Sequence, residues 1–149
     1  VSAGSAYSAL LQSARQELLD ARQHLNFSIK SVSSILAEGE WTELELEKVE
    51  AFTSRFARVV DLLINRVLRA IDRFELNEPG TLLDTANRAV ARNLISGVDW
   101  LRELKDVRNR IAHDYAGLQL PDLFVYCQRV IPELELSCEK VDAYIAQLL

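Results

Sequence analysis

Apolar residues that return every third or fourth position constrain this chain more than any other feature. Ala6, Leu10, Leu11, Ala14, Leu18, Leu25, Ile29, Val32 and Leu36 fall on one side of a 3.6-residue period, and the pattern ends at Gly39. No stretch alternates apolar and polar residues over the length of a strand. The predicted class is therefore all-α. The expected architecture is an antiparallel up-and-down bundle of four main helices and one shorter one.

The starts and stops of the later helices are written in their flanks. Thr42 and Glu45 have capping-box spacing, and Trp41 and Leu46 stand where a hydrophobic staple closes the first turn. That predicts a second helix over about 42 to 75, stopped by the Asn77, Pro79, Gly80 turn. Thr81 with Asp84 opens a shorter third helix, TLLDTANRAVARNL. Ser96 and Asp99 repeat the cap spacing, with Ile95 and Trp100 as staple, so a fourth helix is expected from Ser96 to about Tyr115, followed by Gly117. Pro121 suits the first turn of a final helix reaching Leu149, with a kink expected at Pro132, where a backbone donor is missing.

At 149 residues, 49% of them hydrophobic, the chain is long enough for one domain with a real core, and no interval has linker composition. A single helical domain over residues 1–149 is expected. No run of about 18 apolar residues spans a bilayer, and the opening VSAGSAYSALLQSARQ lacks the layout of a secretory signal. These features predict a cytoplasmic protein with no membrane partner. Cys127 and Cys138 share one predicted helix, about 16 Å apart at 1.5 Å per residue, so they do not bridge one another.

The formal net charge of −5 argues against a surface coated for nonspecific nucleic-acid binding, but charge is unevenly placed. Residues 38–50 carry six glutamates against Lys48, whereas Arg88, Arg92, Arg102, Lys105, Arg108 and Arg110 dominate residues 85–113. On a uniform wheel Arg55, Arg58, Arg66, Arg69 and Arg73 fall within an arc of roughly 80°, opposite much of the Phe52, Phe56, Leu63 face. Such a stripe is either a solvated face or a surface for phosphate or partner contact, to which guanidinium groups are suited.

Within the basic region lies RNRIAHDY, residues 108–115. Trp100, Leu104, Val107 and Ile111 define the buried side of its helix, and Arg108 points between Leu101 and Leu104 on that same side. An arginine there needs a carboxylate, a phosphate, backbone carbonyls or a solvent-filled cleft, because burying it unpaired costs on the order of several kcal/mol. His113 lies about 140° round the helix from Arg108, so the two do not converge in one straight helix. Two copies facing each other across a two-fold axis bring one chain's arginine to the other's histidine.

The spacing of Arg108, His113 and Tyr115 closely resembles the RX4HXY motif of HEPN-domain proteins, specifically the HepT-like toxins and the related nucleotidyltransferase substrate-binding proteins. The flanking LLDTANRAVARNLI and VDWLRELKDV, and the earlier FTSRFARVVDLL, resemble the family's third, motif and second helices, so the resemblance spans most of the chain. It implies a helical bundle that dimerises through the motif region and, in toxin members, cleaves RNA without metal. It also implies that Arg108, His113 and Asn109 belong to the active site, and that Tyr115 accepts AMP from a minimal nucleotidyltransferase antitoxin. Arg102, Arg110, Arg55, Arg58 and Arg66 are candidate RNA or partner contacts.

The residue types suit that chemistry irrespective of the resemblance. Cleavage by the RNA's own 2′-hydroxyl needs one proton removed, one delivered, and a negatively charged phosphorane stabilised. Histidine exchanges protons near neutrality, and arginine grips phosphate through paired donors. No cluster has metal-ligand spacing, and no cofactor is called for. The bland alternatives are that His113 complements the helix macrodipole, that Tyr115 caps the core, and that Asp114 is a solvated helix-end acid. His24, alone in its helix, is read that way. At the level of the whole protein the alternatives are a noncatalytic nucleotidyltransferase-binding subunit and a dimerisation module whose polar cluster fixes register.

Overall fold

A computed structural model describes residues 3–114 and 117–149. Its elements are α1 (Ala3–Ser31), α2 (Glu43–Asp61), a π-helical turn (Leu62–Val67), α3 (Leu68–Phe74), α4 (Leu82–Ala91), α5 (Val98–His113) and α6 (Leu120–Leu148). The protein is an all-α bundle, and no strand occurs among the described residues.

The two capping boxes form as their spacing predicts. Glu45 N donates to Thr42 Oγ1 at 3.1 Å while Thr42 N donates back to Glu45 Oε1 at 3.0 Å. Thr81 and Asp84 make the same reciprocal pair, and the amide of Thr81 holds the Asp84 carboxyl below its ordinary range. Both pairs satisfy orphan donors of a first turn.

The end of the first helix and the start of α5 differ from the sequence reading. The first helix stops at Ser31, not near Gly39, because the Ser33 hydroxyl donates to Lys30 O at 2.8 Å and competes with the helical ladder; Leu36, which the period placed on the core face, is left 77% exposed. The second helical segment closes at Phe74, where the sequence places its end. Leu76 takes a left-handed φ of 60°, and Asn77 N donates to Asp72 O at 2.8 Å, closing a Schellman motif without glycine. Ser96 does not cap α5: Gly97 is the cap residue, and the Ser96 hydroxyl donates to Glu133 Oε1 at 2.8 Å on α6. Pro132 lies inside α6, which continues beyond it to Leu148.

The π-helical turn shifts the register of the arginines within and after it, Arg66, Arg69 and Arg73, relative to Arg55 and Arg58. It widens the helix for one turn, so residues before and after it no longer share the face that a uniform wheel assigns them. The fully buried Phe52 and Phe56 of α2 lie before it, and Leu68 and Ile71 of α3 after it. Phe124 of α6 meets Phe52 edge to face at a centroid distance of 5.7 Å, and Trp41 adds a second such contact at 5.8 Å. Fully burying a side chain of this size is worth roughly 1.5–3 kcal/mol, so this aromatic stack fixes α6 against the start of α2.

Charged links fasten the outer elements. Arg55 Nη1 donates to Ser28 Oγ at 2.8 Å, and Arg66 of the π-helical turn pairs with Glu17 at 2.9 Å, so α1 runs antiparallel to α2 and the turn that continues it. The carboxylate of buried Asp72 receives Arg92 at 2.6 Å and Arg88 at 3.2 Å, tying α3 to α4. Cys127 and Cys138 are both buried free thiols on α6, and burial pushes the Cys138 thiol up to about 12.

Candidate functional site

α5 packs Leu101, Leu104 and Val107 into the core, and this fixes where its polar residues point. Arg108 leaves the helix on the apolar side, as its register predicts, and enters a cleft of about 810 Å³ between α2, the C-terminal end of α5 and the start of α6. Its Nε lies 2.8 Å from Asp61 Oδ1, with both side chains about one-third exposed (34% and 36%). The N–H is not aimed along that contact, since Nε is buried without a hydrogen-bond acceptor. The pair is a charge contact with one donor direction unused. Arg108 Nη1 makes a long hydrogen bond of 3.4 Å to Asn109 Oδ1.

Asp61 was not identified from sequence. The signal that points to it is its place as the sole acid between Glu50 and Asp72, within a run of arginines. It stands at the last α-helical position before the π-helical turn, three residues after Arg58 and therefore on a neighbouring part of the same face. Arg58 is exposed and lines the same cleft as Asp61 and Arg108.

The arginine stripe divides among different neighbours. Arg55 leans on α1, donating to His24 O at 3.2 Å and lying 5.9 Å from the centroid of Phe27. Arg66 also reaches α1 through Glu17, and that guanidinium holds the Glu17 carboxyl below its usual range. Arg69 donates to Gly80 O at 3.3 Å. Arg58 alone among the five lines the cleft.

His113 is the final residue of α5 and is exposed; it is not among the cleft-lining residues. Within one protomer Arg108 and His113 are thus presented on different parts of α5. Asn109, Arg102 and Arg110 are exposed, and Arg110 pairs with Asp106 one turn back at 3.1 Å. Asp114 is more than a solvated acid: its Oδ2 accepts from Gln119 N at 3.1 Å, and its carbonyl accepts from Gly117 N at 3.1 Å, fastening the turn into α6. Gly117 suits that turn because its φ is +69°. Tyr115 lies outside the described residues. Among the described residues no group of three or more His, Cys, Asp and Glu is arranged to hold a metal ion, and no helix is long and apolar enough to cross a membrane.

This arrangement supplies a cationic group for phosphate and a proton-exchanging imidazole on one helix, with a cleft beside the cation. Neither a curated protein nor a solved structure matches the chain significantly. Residues 27–141, from the second half of α1 to near the end of α6, match the family model described as Ribonuclease HepT-like. With well over half its length covered by that match, the chain belongs to the HepT-like ribonuclease family.

Proposed function

We propose that this chain is an endoribonuclease toxin that works as a homodimer without a metal ion and is silenced by a minimal nucleotidyltransferase. In the reaction, the 2′-hydroxyl oxygen attacks the adjacent phosphorus and the 5′-oxygen leaves, giving a 2′,3′-cyclic phosphate and a free 5′-hydroxyl. One imidazole takes the 2′ proton and another protonates the departing oxygen. Arg108 carries the charge that builds on the phosphorane, and Asn109 assists at the same edge.

The observation that carries this reading is the pairing of Arg108 with Asp61 at a cleft while His113 of the same helix is exposed and outside it. A two-fold arrangement of α5 against its copy supplies the missing proximity and a second imidazole. Silencing follows if the Tyr115 phenol oxygen attacks the α-phosphorus of ATP, losing its proton and releasing pyrophosphate. The added phosphate places negative charge where RNA must approach.

The test is cleavage of total RNA by the purified chain in the presence of a chelator. Wild type cuts; His113→Ala and Arg108→Ala do not. Equal cutting by wild type and His113→Ala, or no cutting by either, rejects the nuclease and leaves a noncatalytic nucleotidyltransferase-binding subunit. Mass spectrometry of the chain incubated with such a nucleotidyltransferase and ATP tests Tyr115, where an AMP adduct is expected in wild type and not in Tyr115→Phe.

A further inference from the structure

The cleft beside Arg108 is polarised along its length. On α2, its wall runs from Leu46 through Glu50 and Ser54 to Arg58 and Asp61, steps of three or four residues that keep one face. Arg58 and Arg108 gather at one end, where Asp61 pairs with Arg108 and Asp114 also lines the wall. Leu46 and Leu123 make the other end apolar, closed by Trp41, whose indole Nε1 is committed to Leu36 O at 2.7 Å and whose ring is braced on Phe124. Glu50 is the carboxylate of α2 at that end; it lies eight residues, about 12 Å along the helix, from Arg58.

We propose that this cleft is a nucleotide subsite that selects guanine, with Glu50 as the specificity-determining residue. The proposal deepens the nuclease reading and rests on it for the role given to Arg108. The placement of guanidinium donors fixes the orientation of the occupant, because both arginines of the lining stand away from Glu50. A phosphate is drawn to Arg58 and Arg108 and repelled from the glutamate-rich start of α2, so the base lies toward Glu50. The span from Arg58 to Glu50 suits one nucleotide, and a volume of about 810 Å³ is within the range of small-molecule sites. Leu46, Ile111 and Leu123 offer an apolar wall to the base, as single-stranded RNA recognition requires when a base leaves its stack.

The preference for guanine follows from hydrogen-bond inventory. An ionised carboxylate only accepts. Guanine presents two adjacent donors on its pairing edge, N1–H and the 2-amino group, and matches a carboxylate with two parallel bonds. Adenine and cytosine place a ring acceptor beside their amino group, and uracil flanks its single N–H with carbonyls. Each sets an acceptor against the Glu50 oxygens. Thr53 does not compete for the base, because its hydroxyl donates to Glu50 O at 3.2 Å.

Calorimetric titration of the full chain with GMP, AMP, CMP and UMP tests this directly. GMP is expected to bind at least about tenfold more tightly than the other three, the discrimination of one good bidentate contact. In Glu50→Gln, where one acceptor becomes a donor, the four should fall within about twofold of one another. In Arg58→Ala all four should weaken by a similar factor, since only the phosphate contact is lost. Glu50 and Arg58 are both exposed, and matched melting curves establish that neither variant is misfolded. Equal binding of the four nucleotides to wild type, or a guanine preference that survives in Glu50→Gln, overturns the assignment. The cleavage assay beside this titration separates the two readings: GMP binding without RNA cleavage by wild type sinks the nuclease and keeps the subsite, whereas cleavage lost in His113→Ala without nucleotide binding by wild type does the reverse.

Discussion

Asp61 Oδ1 lies 2.8 Å from Arg108 Nε, and this contact joins α2, at its last position before the π-helical turn, to the motif helix. It gives the motif arginine a fixed direction in the absence of any ligand. Because the partner is a carboxylate with room around it, an incoming phosphate meets a guanidinium already turned into the cleft.

Asp61→Asn should therefore lower the rate of RNA cleavage by about tenfold or more while leaving most of the fold's stability intact. The pair is about one-third exposed on both sides, so its contribution to stability is expected to be at most about 1 kcal/mol. Single-turnover cleavage beside urea denaturation checks both halves. An unchanged rate would remove the positioning role of Asp61.

Asp72 behaves in the opposite way. Its side chain is only 7% exposed and holds Arg92 and Arg88 together, so Asp72→Ala removes the carboxylate that lies between the two guanidinium groups. Loss of about 3–5 kcal/mol is expected, and equilibrium denaturation measures it. Since Arg92 also lies 3.3 Å from Glu75, which accepts from the Tyr144 hydroxyl, the docking of α6 should loosen in the same variant. Faster amide exchange along the end of α6 reports that loosening.

Leu76 sits at φ 60° and is 78% exposed, so its side chain gives little packing in return for a backbone conformation that disfavours Cβ. Leu76→Gly should stabilise the protein by about 0.5–1 kcal/mol, the left-handed strain removed less the extra entropy of glycine in the unfolded chain. A rise in Tm by a few degrees is the expected reading.

Acid should weaken the ties between α1 and its neighbours. The Arg66 guanidinium lowers the Glu17 carboxyl from its reference of 4.5, and Arg15 lowers that of Asp142 from 3.8. Groups depressed in the folded state stabilise it at pH above their unfolded values. That stability is lost as pH falls from about 4.5 downward through the folded values. Both pairs are partly exposed, so the effect is a fraction of a kcal/mol each. Thermal melts between pH 6 and 3 should show a decline that is shallower in Asp142→Asn.

Local signals in the chain determined the helices and the position of the motif. The 3.6-residue period, Thr42 with Glu45, and Thr81 with Asp84 act through hydrogen bonds and packing between residues three or four apart, so the elements they specify can be read without knowing the neighbours. The same local register put Arg108 on the apolar side of its helix. Tertiary structure decided what the arginines do. Packing of α1 on one side of α2 and of α5 on the other drew Arg55 and Arg66 to α1 and left Arg58 in the cleft, and the partner that Arg108 required turned out to be Asp61, 47 positions earlier. Ser96 met Glu133 instead of capping α5 for the same reason. A side chain's choice among acceptors depends on which helices come to lie beside it, and that is settled when the apolar faces close on one another.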